Sequence, residues 1–283
     1  MNDLVRPSRV SELLRAYGLN PSKGLGQNFL VDRHALEKIV GAADVHDEDV
    51  CLEIGPGLGT LTRELAERAR TVLAIEKDKK LTPVLAETLA DYANIELQFS
   101  DALEVDYRKL LEPYSPPFKV VANLPYYVTT PLIMQLLETG IKWGKMVFLV
   151  QREVAERMTA RPGTEACGSL SLAVQYYAQV KTIAVIPPNA FFPPPKVSSA
   201  VVLLEGRDKP GQHFGLVNEK LFFALIRAAF GQRRKTLLNA LSAGLDVPKA
   251  DIQRALAGCG IPESLRGETL GIESFVKIAN QLT

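Results

Sequence analysis

The chain has 283 residues, 47% hydrophobic and 23% charged, the composition of an ordinary globular protein with room for one large domain or a large and a small one. No run of about 18 apolar residues occurs, which leaves no candidate transmembrane helix. The polar first ten residues lack the apolar stretch of a signal peptide, so a cytoplasmic protein with no membrane partner is expected. The net charge of +1 gives no sign of a nucleic-acid partner, but it is unevenly placed. Residues 1–186 hold 21 Lys and Arg against 24 Asp and Glu, and residues 187–283 hold 12 against 8. A basic C-terminal third on a slightly acidic body is compatible with an RNA-facing appendage.

Helical patterns cover residues 8–17 and 32–43, the second with Asp32 as a plausible N-cap. Residues 21–27 between them read as a loop. A regular alternation follows. Short apolar runs at 50–54, 71–75, 95–99, 119–122 and 145–150 read as strands, with helical patterns at 58–68, 79–90 and 131–138 between them. Strands alternating with helices predict a parallel sheet covered on both faces. Helices are then expected at 153–159 and 169–179, and two strands at 181–186 and 198–204 joined by a proline-rich loop at 187–196. Two successive strands without a crossover helix should pair antiparallel. Residues 206–211 look like a linker, and beyond it only helical periodicity remains, at 219–230, 233–242, 248–258 and 272–281. The predicted domains are therefore 1–205, an α/β unit, and 206–283, a small all-α unit.

Cys51, Cys167 and Cys259 are odd in number and far apart, so neither a disulfide framework nor a metal site is expected. His34, His46 and His213 lie near no candidate nucleophile.

The segment from Val50 to Thr60 is a strand, a glycine-rich turn and a helix start, with Gly55, Gly57 and Gly59 spaced GxGxG and Glu53 in the strand before them. A pyrophosphate favours a free helix N-terminus, whereas an acidic strand end suits a cationic ligand such as S-adenosyl-L-methionine. Read alone, this is also compatible with a plain tight turn. Glu76 ends the next strand, where an acidic group about 20 residues beyond the glycines can accept from ribose hydroxyls. Asp101 follows the third strand and can accept from an adenine amino group. Asn123 ends the fourth. Singly, each reads as a solvated loop residue; four polar strand ends in series are hard to explain by core packing.

The fourth strand runs into Asn123-Leu124-Pro125-Tyr126-Tyr127, which resembles the motif of adenine-N6 and related amino methyltransferases. Further segments narrow the resemblance. They are Lys23-Gly24-Leu25-Gly26-Gln27-Asn28-Phe29-Leu30, Gln151-Arg152-Glu153, Phe191-Phe192-Pro193-Pro194-Pro195-Lys196-Val197 and Phe230-Gly231-Gln232-Arg233-Arg234-Lys235-Thr236-Leu237. Together they span nearly the whole chain and are similar to the ribosomal RNA adenine N6,N6-dimethyltransferases, most of all the bacterial ones acting on 16S ribosomal RNA. The resemblance implies a class I, Rossmann-like, mostly parallel sheet with an antiparallel final strand. It implies S-adenosyl-L-methionine as cofactor, S-adenosyl-L-homocysteine as product and 16S ribosomal RNA within the small ribosomal subunit as partner, with the protein a monomer. By the same resemblance Gln27, Asn28, Leu30, Gly55, Gly57, Glu76, Lys77, Asp101, Ala102 and Asn123 hold the cofactor.

The chemistry suits these residue types. The adenine N6 lone pair is delocalised into the ring and is a poor nucleophile. Acceptors aimed at the amino hydrogens, here the Asn123 side-chain oxygen and the Pro125 backbone carbonyl, can pull the nitrogen toward tetrahedral geometry. Leu124 lies between them in the motif. The adenine must leave its helix or be unpaired, then stack on an aromatic. Tyr126 is the expected platform and Phe191 the expected second face, with Phe192 the alternative. Arg233, Arg234 and Lys235, expected to open a helix, with Arg227 before them, can engage RNA phosphates, although a solvated helix face reads the same way.

Three other readings compete. A DNA adenine methyltransferase shares the Asn-Pro-Tyr chemistry, but the Gly-Gln-Asn-Phe-Leu and Phe-Phe-Pro-Pro-Pro-Lys-Val segments speak against it. A 23S-directed adenine dimethyltransferase is nearer and is separated by mapping the methylated positions. A ribosome-assembly factor with an inactive methyltransferase fold is disfavoured by intact Asn123, Pro125, Tyr126, Glu76 and Asp101.

Overall fold

The computed structural model describes all residues except Met1, Lys23 and Arg233. Its centre is a seven-stranded sheet, whose inner strands come from apolar runs long enough to cross a buried layer. Strands are numbered in chain order: β1 (Phe29–Leu30), β2 (Val50–Ile54), β3 (Thr71–Glu76), β4 (Ile95–Phe99), β5 (Phe118–Asn123), β6 (Trp143–Gln151), β7 (Ala178–Ile186), β8 (Phe191–Phe192) and β9 (Ser199–Gly206). The sheet order is β4-β3-β2-β5-β6-β9-β7. The pairs from β4 to β6 are parallel, and β9 runs antiparallel to β6. All five residues of β2 are buried, as befits the central strand of a covered sheet. The predicted class I, Rossmann-like architecture with an antiparallel final strand is present.

β9 inserts between β6 and β7, so β7 is the edge. The edge position explains why only the two end residues of β7, Ala178 and Ile186, are buried where β9 is buried over six successive residues.

The helices follow the same logic. Asp32 caps the helix Arg33–Ala43, its side chain accepting from the Ala35 N–H at 2.7 Å. That helix buries Ala35, Leu36, Ile39 and Val40 in one cluster with Val72, Val121, Val147 and Val201 of the sheet. Burying each of the larger side chains, such as Leu36 and Ile39, contributes roughly 1.5–3 kcal/mol. The pattern predicted as one helix over 79–90 is a 3-10 turn, Lys79–Leu81, followed by the helix Thr82–Thr88, with Pro83 in its first turn where no N–H is needed.

The chain forms two compact units. One comprises the residues up to Ala155 with Val180–Gly206, and the other comprises Glu156–Gln179 with Arg207–Thr283. The division differs from the predicted 1–205 and 206–283, and the reason lies in Tyr176. This fully buried ring on the helix Ser169–Tyr177 stacks on Phe214 at 5.6 Å and meets Phe222 at 4.9 Å. Its hydroxyl donates to Glu219 Oε2 at 2.9 Å. Leu172 and Tyr176 thereby share one core with Phe222, Leu225, Ile252, Leu256 and Phe275 of the C-terminal helices.

Two short segments, one just after the loop at 21–27 and one inside the proline-rich loop at 187–196, form a second, two-stranded antiparallel sheet, β1 with β8, pairing Phe29 with Phe192 and Leu30 with Phe191.

Candidate active site

The polar residues expected in series do converge. A cleft at the carboxyl ends of β2 to β5 is lined by Gln27, Asn28 and Leu30, by Glu53, Gly55 and Gly57, by Glu76 and Lys77, by Asp101 and Ala102, and by Asn123, Leu124, Pro125 and Tyr126. Placement at strand ends is general for ligands of open parallel sheets.

The glycine-rich turn is built for close approach. Gly55, Gly57 and Gly59 all have positive φ, at 73°, 61° and 90°. A Cβ on Gly57 would lie 3.1 Å from the Phe29 ring, and one on Gly59 2.9 Å from Leu89. The Gly57 N–H donates to Glu76 Oε2 at 3.2 Å and the Asp78 N–H to Glu76 Oε1 at 2.7 Å. The buried Glu76 carboxylate is thus oriented by backbone before any ligand arrives. Burial raises its pKa, and the N–H donors oppose that.

Glu53 is 1% exposed and its Oε2 has no hydrogen-bond partner among the described residues. Burial pushes its carboxyl up to about 8, the Thr62 hydroxyl opposing and the charge of Glu76 adding. Asp101 accepts from Lys77 Nζ at 2.6 Å and from the Leu103 N–H at 3.1 Å. The Lys77 hydrogen bond, ahead of the Leu103 N–H, holds its pKa below the usual range.

Gln27 bridges the cleft's rim: its Nε2 donates to Asp78 Oδ2 at 2.9 Å while its Oε1 accepts from the Ser22 N–H at 2.7 Å. Asn123 Nδ2 donates to the Asn28 carbonyl at 3.1 Å. That bond commits the amide nitrogen and leaves Asn123 Oδ1 as the acceptor of the pair.

The Pro125 carbonyl departs from expectation. It already accepts from the Val128 N–H at 3.2 Å and the Thr129 hydroxyl at 3.1 Å, which engages both lone pairs in the turn into the next helix. The neighbouring Leu124 donates its N–H to the Leu149 carbonyl, and its own carbonyl takes no donor from the described residues.

Tyr126 lines the cleft, with its hydroxyl 2.8 Å from Ser199 Oγ. Phe191 does not line it. The ring is 3% exposed, because pairing of β8 with β1 turns it into the cluster of Leu30, Ile39 and Val201. Phe192 packs against the cluster of Leu4, Val10 and Leu58. Neither lines the cleft in this structure. Two further residues, given no role by the sequence, line the cleft: Phe29, whose ring abuts Gly57, and Tyr127, which is 51% exposed; Asp78, outside the lining, holds Gln27. Phe29 and Tyr127 both stood in motifs already quoted, without a role; Asp78 carried no signal beyond its place two residues after Glu76.

The basic cluster divides. Arg227 is exposed on the helix Glu219–Gly231. Arg234 and Lys235 are exposed in the connection before the helix Leu237–Gly244, rather than opening a helix, because Thr236 takes the extended N-cap conformation and the Lys235 N–H closes a turn onto Gln232. Arg233 lies outside the described residues.

A mostly parallel sheet with one antiparallel insertion, and a glycine-rich cleft flanked by carboxylates and an Asn-Leu-Pro-Tyr turn, define a Rossmann-like methyltransferase. Residues 18–283 match the ribosomal RNA adenine dimethylase family, and the chain belongs to that family. It is 47% identical over 285 residues to ribosomal RNA small subunit methyltransferase A of Alkaliphilus oremlandii, covering 100% of this chain and 99% of that one. Among solved structures it is similar to a dimethyladenosine transferase from Plasmodium falciparum, with TM-score 0.73 and 26% identity over 87% of this chain and 94% of that one. It is also similar to the 23S rRNA methyltransferase ErmE, with TM-score 0.69 and 26% identity over 90% and 99% of the two chains.

Proposed function

We propose that the protein transfers methyl groups from S-adenosyl-L-methionine to N6 of adenines in small-subunit (16S) ribosomal RNA, giving N6,N6-dimethyladenosine. The observation that carries this reading is Asn123: it ends a buried strand in the cleft with its nitrogen committed to Asn28 and its oxygen left to accept. The small-subunit substrate is supported by relatives at 43–47% identity over their whole lengths, all named for that subunit. The 23S-directed ErmE shares the fold at 26% identity.

The cleft suits the cofactor. An orphaned buried carboxylate, Glu53, awaits a cation, Glu76 offers a pre-oriented carboxylate to a ribose diol, and Asp101 offers one to an adenine amino group. Gln27, Asn28 and Leu30 form the wall for the methionine part, and Lys77 and Ala102 flank the adenosine part. S-adenosyl-L-methionine supplies a methyl on a cationic sulfur, leaves as S-adenosyl-L-homocysteine and needs no metal.

The chain's own task is to aim the amine. Asn123 Oδ1 and the Leu124 carbonyl accept the two N6 hydrogens; Leu124 replaces Pro125 in this role because the Pro125 carbonyl is already engaged. Tyr126 holds the extruded base by stacking, worth about 1–3 kcal/mol. No general base is required, because the methylated nitrogen is cationic and sheds its proton to water. Arg227, Arg233, Arg234 and Lys235 bind RNA phosphates from the helical unit. The working form is a monomer, and its substrate is the RNA within the small subunit.

The test is a methyl-transfer assay on undermethylated small subunits, with naked 16S and 23S RNA as comparison and nucleoside analysis by mass spectrometry. Dimethyladenosine in the small-subunit RNA is expected. Incorporation into 23S RNA alone, or none, would overturn the assignment.

A further inference from the structure

The function above uses Glu53 only as a negative charge, yet its surroundings do not favour one. The side chain is 1% exposed, it lines the cofactor cleft, and Oε2 has no hydrogen-bond partner among the described residues. Its neighbours across the sheet are Ala74 on β3 and Val121 on β5, both apolar. The groups facing it are the Thr62 hydroxyl from the helix Thr60–Ala66 and the Glu76 carboxylate from β3. On its own strand the Cys51 thiol is pushed by burial up to about 12 and is neutral. No Lys or Arg among the described residues acts on it. A carboxylate in such a place is unstable as an anion, and its carboxyl is correspondingly pushed up to about 8.

Resting on the cofactor reading above, we propose that Glu53 makes binding of the methyl donor proton-linked. Its carboxyl holds a proton while the cleft is empty and releases it to solvent when a cationic group of S-adenosyl-L-methionine seats against it. The balance is simple: one carboxylic acid and one cation give one ion pair and one proton in the buffer. The protonated group spares the empty cleft a buried anion beside Glu76, and the donor's charge then replaces the proton. Two groups of the donor carry that charge, the sulfonium and the methionine ammonium. S-adenosyl-L-homocysteine keeps only the ammonium, so it distinguishes them.

The experiment is titration calorimetry of the full-length protein with S-adenosyl-L-methionine alone, near pH 7, in two buffers of different ionisation enthalpy. Close to one proton released per donor bound is expected. The donor's affinity should rise by up to tenfold per pH unit from about pH 6 and level off near pH 8. Glu53→Gln, which mimics the protonated side chain in shape, should bind with no proton release from this site and a flatter pH profile. Release with the donor but not with S-adenosyl-L-homocysteine assigns the partner as the sulfonium; equal release with both assigns the ammonium. A buffer-independent enthalpy for the wild-type protein would overturn the proposal without any variant, and so would undiminished release in folded Glu53→Gln. Absence of any donor binding would instead remove the cofactor assignment on which the proposal stands.

Discussion

Asn123 is held at three points: by the end of β5, by its amide bond to Asn28, and by the turn that Pro125 closes onto Val128 and Thr129. Such fixing lets a weak acceptor act in catalysis, because no reorganisation is needed as charge develops on the nitrogen. Asn123→Ala should slow methyl transfer on the order of 100-fold or more, by analogy with other preorganised sites. Cofactor affinity should fall less, since Glu76 and Asp101 keep their places. The second transfer starts from an amine with one hydrogen, which can use only one of the two acceptors. The variant should therefore change the two transfers unequally and shift the ratio of mono- to dimethyladenine. Single-turnover kinetics with mass spectrometry reads both steps, and wild-type rates for both would remove Asn123 from the mechanism.

At the scale of elements, the glycine turn between β2 and the helix Thr60–Ala66 depends on a neighbour the sequence hides. Gly57 has φ of 61° and faces the Phe29 ring at 3.1 Å from where a Cβ would stand. Gly57→Ala meets both obstacles. The left-handed conformation costs roughly 1–2 kcal/mol for a residue with a side chain, and the ring of β1 must shift. Since the Gly57 N–H also orients Glu76, a lower melting temperature and weaker cofactor binding should appear together in calorimetry. Loss of neither would mean that the turn adapts freely.

The glycines themselves were legible, because GxGxG after an apolar strand states its geometry in residue types. Phe29 was not. A two-residue strand has no periodicity to read, and β1 and β8 lie far apart along the chain. The same limit misplaced Phe191, whose direction is set by its pairing with Leu30. The Pro125 carbonyl was misjudged for another reason: residue type says nothing about which backbone oxygens a following turn engages. Strands β2, β3, β5 and β6 came through because buried parallel strands leave continuous apolar runs, and the edge strand β4 because its apolar and polar residues alternate.

On the proposed function, the whole molecule separates its tasks by unit. Every residue lining the cleft falls between Leu25 and Leu132, within the sheet-bearing unit. Exposed Arg227, Arg234 and Lys235 fall in the helical unit, whose own core is closed by Phe222, Leu225 and Phe275. The sequence showed two units but drew the second too small. Helical periodicity reveals that a face is buried without revealing against what, so 156–179 gave no hint of its company. Surface cations outside the core can be removed at little cost to stability, which makes the separation testable. Replacing Arg227, Arg233, Arg234 and Lys235 by Ala should leave cofactor affinity and melting temperature nearly unchanged. RNA or subunit binding should weaken, and the slope of log affinity against log salt should flatten by about 0.7–0.9 for each phosphate that is no longer neutralised. The flattening is the decisive reading, because a general fall in affinity could come from any disturbance, whereas a smaller slope means that fewer counterions are released. An unaltered slope would mean that these side chains face solvent in the complex, and that the phosphates are held by cations elsewhere on the protein.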